Sequence, residues 1–270
     1  MEYRLLGRSG LVVSRLCLGT MTFGHETDLV GAFDQLDAFV EAGGTFIDTA
    51  DVYTHGVSEE IIGSWLAERP GIREQLVVAT KGRFAMAGHP NGAGLSRRHL
   101  SDALDASLRR LGVDAIDLYQ LHSWDPLTPV EEYLRFIDDA VSAGKVLYFG
   151  LSNFTGWQLA AVAERARAHN WTAPVSLQPQ YNLLTRSIEF EITEACAEYG
   201  LGMIPWSPLA GGWLTGKYRR DETPLGASRL GENPARGMEG YERRNTAGTW
   251  RILEAVAEVA EASGLTMAQV

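Results

Sequence analysis

The chain has 270 residues, 45% hydrophobic and 21% charged, an ordinary globular balance with ample length for a large core. Its formal net charge of -10 repels phosphate backbones and anionic membrane surfaces, which argues against nucleic-acid and membrane partners. The opening MEYRLLGRSG lacks the apolar core of a signal peptide and no window approaches a membrane span, so the cytoplasm is the expected location.

In chain order, YRLLGRSGLVVS sets a Gly-Arg-Ser-Gly turn between two apolar arms and predicts a small hairpin. Seven short apolar runs follow: RLCLG (15–19), TFID (45–48), QLVVATK (75–81), IDLYQLH (116–122), VLYFGLS (146–152), PVSLQ (174–178) and LGMIPWS (201–207). Near-continuous hydrophobicity, rather than alternation, predicts strands buried on both faces of a parallel sheet. Most starts fall roughly 30 residues apart, the length of one strand–helix repeat.

The stretches between the runs predict helices. Ser96 caps one whose apolar face is Leu100, Leu104, Leu108 and Leu111, ended by Gly112. Thr128-Pro129-Val130-Glu131 reads as a capping box with proline at the first helical position, and Thr155-Gly156-Trp157-Gln158 as a second box. The segment 219–245, rich in glycine, proline and charge and short of apolar anchors, reads either as a lid or as an unstructured connection. Residues 246–262 predict an amphipathic helix closed by Gly264, and Thr266-Met267-Ala268-Gln269 starts one more capping box before Val270.

Seven repeats in series fit a (β/α)8 TIM barrel or an open doubly wound sheet. A nucleotide-binding open sheet carries GxGxxG after its first strand, whereas here that strand ends Gly19-Thr20-Met21-Thr22-Phe23-Gly24. The expectation is therefore a barrel, one domain over 1–270 with an N-terminal hairpin. An eighth strand is missing and the last helix is abandoned after a turn, so the sequence reads as a C-terminally truncated piece of a longer chain.

Reactive side chains of barrels stand at the C-terminal strand ends. The polar residues there are Asp48 to Tyr53 after the second run, Lys81 after the third, Gln120 and His122 after the fourth, Ser152 and Asn153, Gln178, and Trp206-Ser207-Pro208-Leu209. Four of these make a working acid. A tyrosine hydroxyl near pKa 10 donates poorly at neutral pH, and a nearby ammonium, Lys81, favours the phenolate. Asp48 is the anion that holds such a lysine, and His122 suits a hydrogen bond to a substrate carbonyl. Reducing a carbonyl needs a hydride donor as well.

TFIDTADVY, VVATK, DLYQLH, GLSNF, QPQYN and WSPLAGGWLTGKY, in this order, resemble the aldo-keto reductase superfamily over essentially the whole chain. The resemblance implies an Asp48–Tyr53–Lys81–His122 tetrad reducing aldehydes or ketones with NADP(H) and no metal. It implies further that Ser152, Asn153 and Gln178 bind the nicotinamide carboxamide and Trp206 stacks on its ring. Ser207, Pro208, Leu209 and Gly211, with Lys217 nearby, would follow the pyrophosphate, and Gly19, Thr20, Met21 and Asp48 would line the cofactor from the first strands. Tryptophan at the stacking position suits the branch that includes bacterial reductases and channel-associated β subunits. The segment after strand eight, which reads the 2′-phosphate in this superfamily, is absent, so NADP over NAD rests on the resemblance.

The other side chains carry blander readings. His25, His55, His89, His99 and His169 show no metal-ligand spacing, and Cys17 and Cys196, far apart in apolar stretches, fit buried free thiols rather than a disulfide or zinc site. Trp65, Trp157, Trp171 and Trp250 read as packing residues, while Phe23, Phe84 and Trp124 follow strands and are expected to rim the substrate pocket. The expected partner is a small carbonyl substrate, and a homo-oligomer is compatible with the sequence. Two rival readings stand beside the reductase: a nicotinamide-sensing regulatory subunit with little turnover, and a ketoreductase of nucleotide-linked deoxysugars.

Overall fold

Backbone pairing joins the seven apolar runs into one parallel sheet. The computed structural model describes residues 1–226, 228–235 and 237–270. Strands β1 (Tyr3–Leu5) and β2 (Val12–Ser14) form the expected antiparallel hairpin. The sheet strands are β3 (Cys17–Gly19), β4 (Phe46–Asp48), β5 (Val77–Gly82), β6 (Ile116–Leu121), β7 (Val146–Ser152), β8 (Ser176–Gln178) and β9 (Gly202–Met203). They lie side by side in sequence order, a curled sheet consistent with a (β/α)8 barrel, with β3 and β9 at its ends. The last strand is much shorter than its apolar run, because Pro205 has no N–H to give to the ladder.

The chain packs as two compact units, residues 1–179 with 191–204 and residues 180–190 with 205–270. In the first, helices α1 (Leu29–Glu41), α2 (Val57–Ala67), α3 (Arg97–Leu111), α4 (Val130–Ser142), α5 (Gly156–His169) and α6 (Ile192–Tyr199) connect successive strands. Ser96 caps α3 by accepting from the His99 N–H, and Gly112 closes it in a left-handed conformation. Gln158 accepts from the Thr155 N–H at the start of α5, as expected of a box. The box foreseen at Thr128 does not form: its hydroxyl donates to Asp125 instead, at 2.7 Å, and α4 starts behind Pro129 without a side-chain cap.

Alternation along the strands sorts two layers. Ile47, Val78, Tyr119, Leu121, Phe149 and Leu151 pack with helix residues such as Leu36, Ile62, Leu104 and Ile137 in the larger core. Phe46, Val77, Ala79 and Leu118 point the other way and cluster with Leu6, Val13 and Ile204, so the hairpin contributes to the smaller core inside the curl. The same period of two carries Asp48, Lys81 and Gln120 onto that inner face, one step further toward the C-terminal strand ends.

In the second unit, Trp213 is the hub. It stacks on Tyr241 and meets Tyr218 and Trp250 edge-on, within an apolar core that includes Leu230, Leu253 and Val256. Segment 219–245, of which 227 and 236 lie outside the described residues, contains the short helices α7 (Arg229–Glu232) and α8 (Tyr241–Arg244). Its anchors are Leu230 and Tyr241, whose hydroxyl donates to the Arg219 carbonyl, so the reading as an unstructured connection is corrected. Helix α9 (Ala247–Ser263) follows, closed by Gly264 as expected and capped by Thr246, which accepts from the Thr249 N–H.

Candidate active site

Two adjacent strand ends bring one lysine into a ring of oxygen atoms. Lys81 Nζ donates to Asp48 Oδ2 at 2.6 Å, to the Thr49 carbonyl at 2.8 Å and to the Tyr53 hydroxyl at 3.2 Å, while its side chain is fully buried. Asp48 Oδ1 accepts from Gln120 Nε2 at 3.0 Å and from Gln178 Nε2 at 2.9 Å, so the carboxylate is held from both sides. The ring of His122 stands edge-on to that of Tyr53, with centroids 5.8 Å apart.

Electrostatics assign a state to each group. Burial by itself disfavours a Lys81 ammonium, but Asp48 and Tyr53 outweigh it and raise the pKa above the ordinary lysine value. Tyr53 corrects the simple expectation of a lowered pKa: burial raises it, and the opposing pull of Lys81 does not win. The hydroxyl is therefore neutral, and holds its proton, at neutral pH. Burial first, then the charges of Lys81 and Arg83, push His122 down to about 2, so its imidazole is uncharged; its Nδ1 is buried without a partner.

The remaining candidates divide by unit. In the first, Ser152 Oγ donates to the Gln178 carbonyl, and Asn153 Nδ2 donates to Ser152 Oγ and to the His122 carbonyl. Asn153 holds a left-handed φ of 57°, a conformation asparagine tolerates better than most residues. Gly19 and Met21 are exposed, and between them Thr20 is buried, its hydroxyl bonding the Asp48 carbonyl and Ser58. In the second unit Ser207 and Gly211 have left-handed φ of 59° and 63°, Pro208, Leu209 and Lys217 are exposed, and Trp206 and Gln180 form a β-bridge.

Two aromatic expectations are corrected. Phe23 is not at a rim; it is fully buried in the larger core. Trp157 is not a buried packing residue: it is 59% exposed and meets Trp124 edge-on at 5.3 Å. Phe84 does reach the site, with its ring 4.6 Å from that of His122.

Sequence reasoning placed Gln120 among the strand-end polar residues but gave it no role. Its signal was the shared face of Leu118, Gln120 and His122, which points the amide at Asp48. Asp51 was missed. Its carboxyl is fully buried, and burial, with Glu59 nearby, lifts its pKa to about 7. Among the described residues no three metal-ligating side chains come together, and no helix is long and apolar enough to cross a membrane.

A buried lysine joined to a tyrosine hydroxyl and an aspartate at parallel strand ends is an arrangement for moving one proton. The sequence pattern of the Aldo/keto reductase family matches residues 15–270. The chain belongs to that family. Its similarity extends to an uncharacterized oxidoreductase, YrpG, of Bacillus subtilis (43% identity over 226 residues; 80% of this chain, 69% of that protein). A probable voltage-gated potassium channel subunit beta of Oryza sativa subsp. japonica is 40% identical, over 83% of this chain and 69% of its own. Versiconal hemiacetal acetate reductase of Aspergillus parasiticus is 35% identical, over all of this chain and 84% of its own. Membership in the family supports an oxidoreductase that reduces carbonyl groups on small molecules, with a nicotinamide as the usual cofactor.

Proposed function

We propose that this aldo-keto reductase is an NADPH-dependent reductase of aldehydes or ketones, with Tyr53 as the proton donor. The observation that carries the reading is the 3.2 Å contact between the Lys81 ammonium and the neutral Tyr53 hydroxyl. When bound, reduced nicotinamide supplies the hydride. The chain's own task is the proton. Tyr53 gives it to the carbonyl oxygen as negative charge develops there, and Lys81 stabilises the phenolate left behind. Asp48, steadied by Gln120 and Gln178, keeps Lys81 aimed at that oxygen. His122, uncharged, orients the carbonyl by hydrogen bonding and does not compete as an acid.

The polar groups at the strand ends suit an amide-bearing ligand: Ser152 and Asn153 supply hydroxyl and carboxamide, and Gln178 would turn part of its amide from Asp48 to the carboxamide. The left-handed turns at Ser207 and Gly211 are of the kind whose backbone N–H groups receive phosphate. NADP over NAD follows from the superfamily resemblance. A reducing, cytoplasmic setting agrees with two free thiols, Cys17 and Cys196.

The test is oxidation of NADPH, followed by its absorbance, against a panel of aliphatic, aromatic and sugar aldehydes. Turnover with any of them supports the reading. Tight NADPH binding with none turned over would instead favour a nicotinamide-sensing subunit, the reading that the similarity to channel β subunits supports.

A further inference from the structure

Arg83 stands two residues past Lys81, beyond the inner face of β5. Its guanidinium lies over the Phe84 ring, 5.0 Å from the centroid, and the same ring meets His122 at 4.6 Å. The cation is thus one aromatic ring away from the imidazole, on the aromatic side of the site. Its hydrogen bonding is sparse. Nη2 makes a long 3.3 Å bond to the Trp124 carbonyl, and Nε is buried with no partner. Among the described residues no carboxylate lies within ion-pair distance of it.

The nearby acid does not neutralise it by contact. Asp125 feels the Arg83 charge, but its oxygens accept from the Leu95 and Leu127 N–H groups and from the Thr128 hydroxyl. A guanidinium with donors to spare, resting on an aromatic face, is a natural binder of a planar anion. Trp124, whose carbonyl takes the Arg83 bond, meets the exposed Trp157 edge-on.

We propose that Arg83 is a specificity-determining residue that recognises an anionic substituent, a carboxylate or a phosphate, on an aromatic carbonyl substrate. The substrate ring packs against Phe84 and Trp124 while its carbonyl addresses Tyr53 and its anion addresses Arg83, whose side chain re-aims its free donors. The proposal rests on the carbonyl-reductase reading and adds the substrate class.

The test compares kcat/KM for 4-carboxybenzaldehyde and 4-formylphenyl phosphate with that for neutral 4-nitrobenzaldehyde, in wild type, Arg83→Gln and Arg83→Lys. Ratios of anionic to neutral substrate cancel general damage to the site. A charge-assisted contact predicts that one anionic ratio falls about tenfold to a hundredfold in Arg83→Gln, with part of it kept in Arg83→Lys. The ratio that moves identifies the anion. Calorimetric binding of the same aldehydes is measured in parallel. Unchanged ratios and unchanged affinities in Arg83→Gln overturn the proposal and leave carbonyl reduction standing. Affinity that depends on Arg83, without turnover in the wild type, supports the anion site and overturns the reductase reading alone.

Discussion

Lys81 Nζ lies 3.2 Å from the Tyr53 hydroxyl, although the two side chains reach each other from different strand ends. Tyr53 sits on a turn after β4 in which Thr54 and His55 both take left-handed φ, and Lys81 comes up the inner face of β5. The ammonium has two further partners, Asp48 and the Thr49 carbonyl, so it stays in place whether or not the tyrosine carries its proton.

Tyr53→Phe removes the transferable proton and leaves Lys81 its other two partners. Turnover should fall by about 100-fold or more, within the usual range for a positioned acid, while NADPH affinity is kept. Steady-state kinetics and cofactor titration read the two effects separately. Unchanged turnover would remove Tyr53 as the donor.

Lys81→Met leaves Asp48 buried opposite an apolar chain. Breaking a buried pair from one side costs about 3–5 kcal/mol, so the midpoint of urea unfolding should drop well below that of the wild type. A variant as stable as the parent would show that the Lys81–Asp48 pair does not contribute to stability.

His122 and Asp51 give stability opposite slopes with pH. His122 falls from an ordinary value of 6.5 to about 2 in the fold, so the unfolded chain takes up a proton that the folded one refuses. Its contribution is complete above about pH 6.5 and erodes as pH falls toward 2, by at most about 1.4 kcal/mol per unit. His122→Asn should flatten this acid limb in denaturant titrations between pH 4 and 7. An unchanged slope would count against a buried neutral imidazole.

Asp51 works the other way. Its pKa rises from 3.8 to about 7, so its contribution is complete below 3.8 and is lost as pH rises to about 7. Asp51→Asn should therefore gain on the wild type from pH 5 to pH 8, the difference being read by urea unfolding at each pH. A constant difference would mean that the carboxyl does not titrate in this window.

Gly7→Ala tests the hairpin. Gly7 has φ of +61°, and a Cβ there would stand 2.5 Å from both the Gly200 carbonyl oxygen and the Gly202 nitrogen. Neither is a flexible side chain, and the conformation is strained for alanine. Thermal unfolding should occur several degrees lower, as expected for a loss of more than about 1 kcal/mol. An unshifted midpoint would mean that the hairpin does not bear on the ends of β8 and β9.

Much of this protein was legible in its residues. Unbroken apolar runs at even spacing announced parallel strands, and Ser96 with Gly112 marked both ends of α3, because cap chemistry is local. Asp48, Tyr53, Lys81 and His122 could be singled out as polar side chains at the ends of apolar runs. What local pattern could not carry was competition for partners. Thr128 left its helix for Asp125, only three residues back, while Phe23 went to the core and Trp157 stayed at the surface, outcomes set by what packs around each side chain.

The sequence by itself determined which groups reach the C-terminal ends of the strands, since the period of a strand sets the face of every side chain. Only the tertiary structure decided their protonation. Lys81 lowers a tyrosine pKa in any sequence argument, yet burial prevails at Tyr53, empties His122 of charge and lifts Asp51 toward neutrality. Desolvation depends on everything packed around a group, and that is a property of the fold, not of the neighbouring residues.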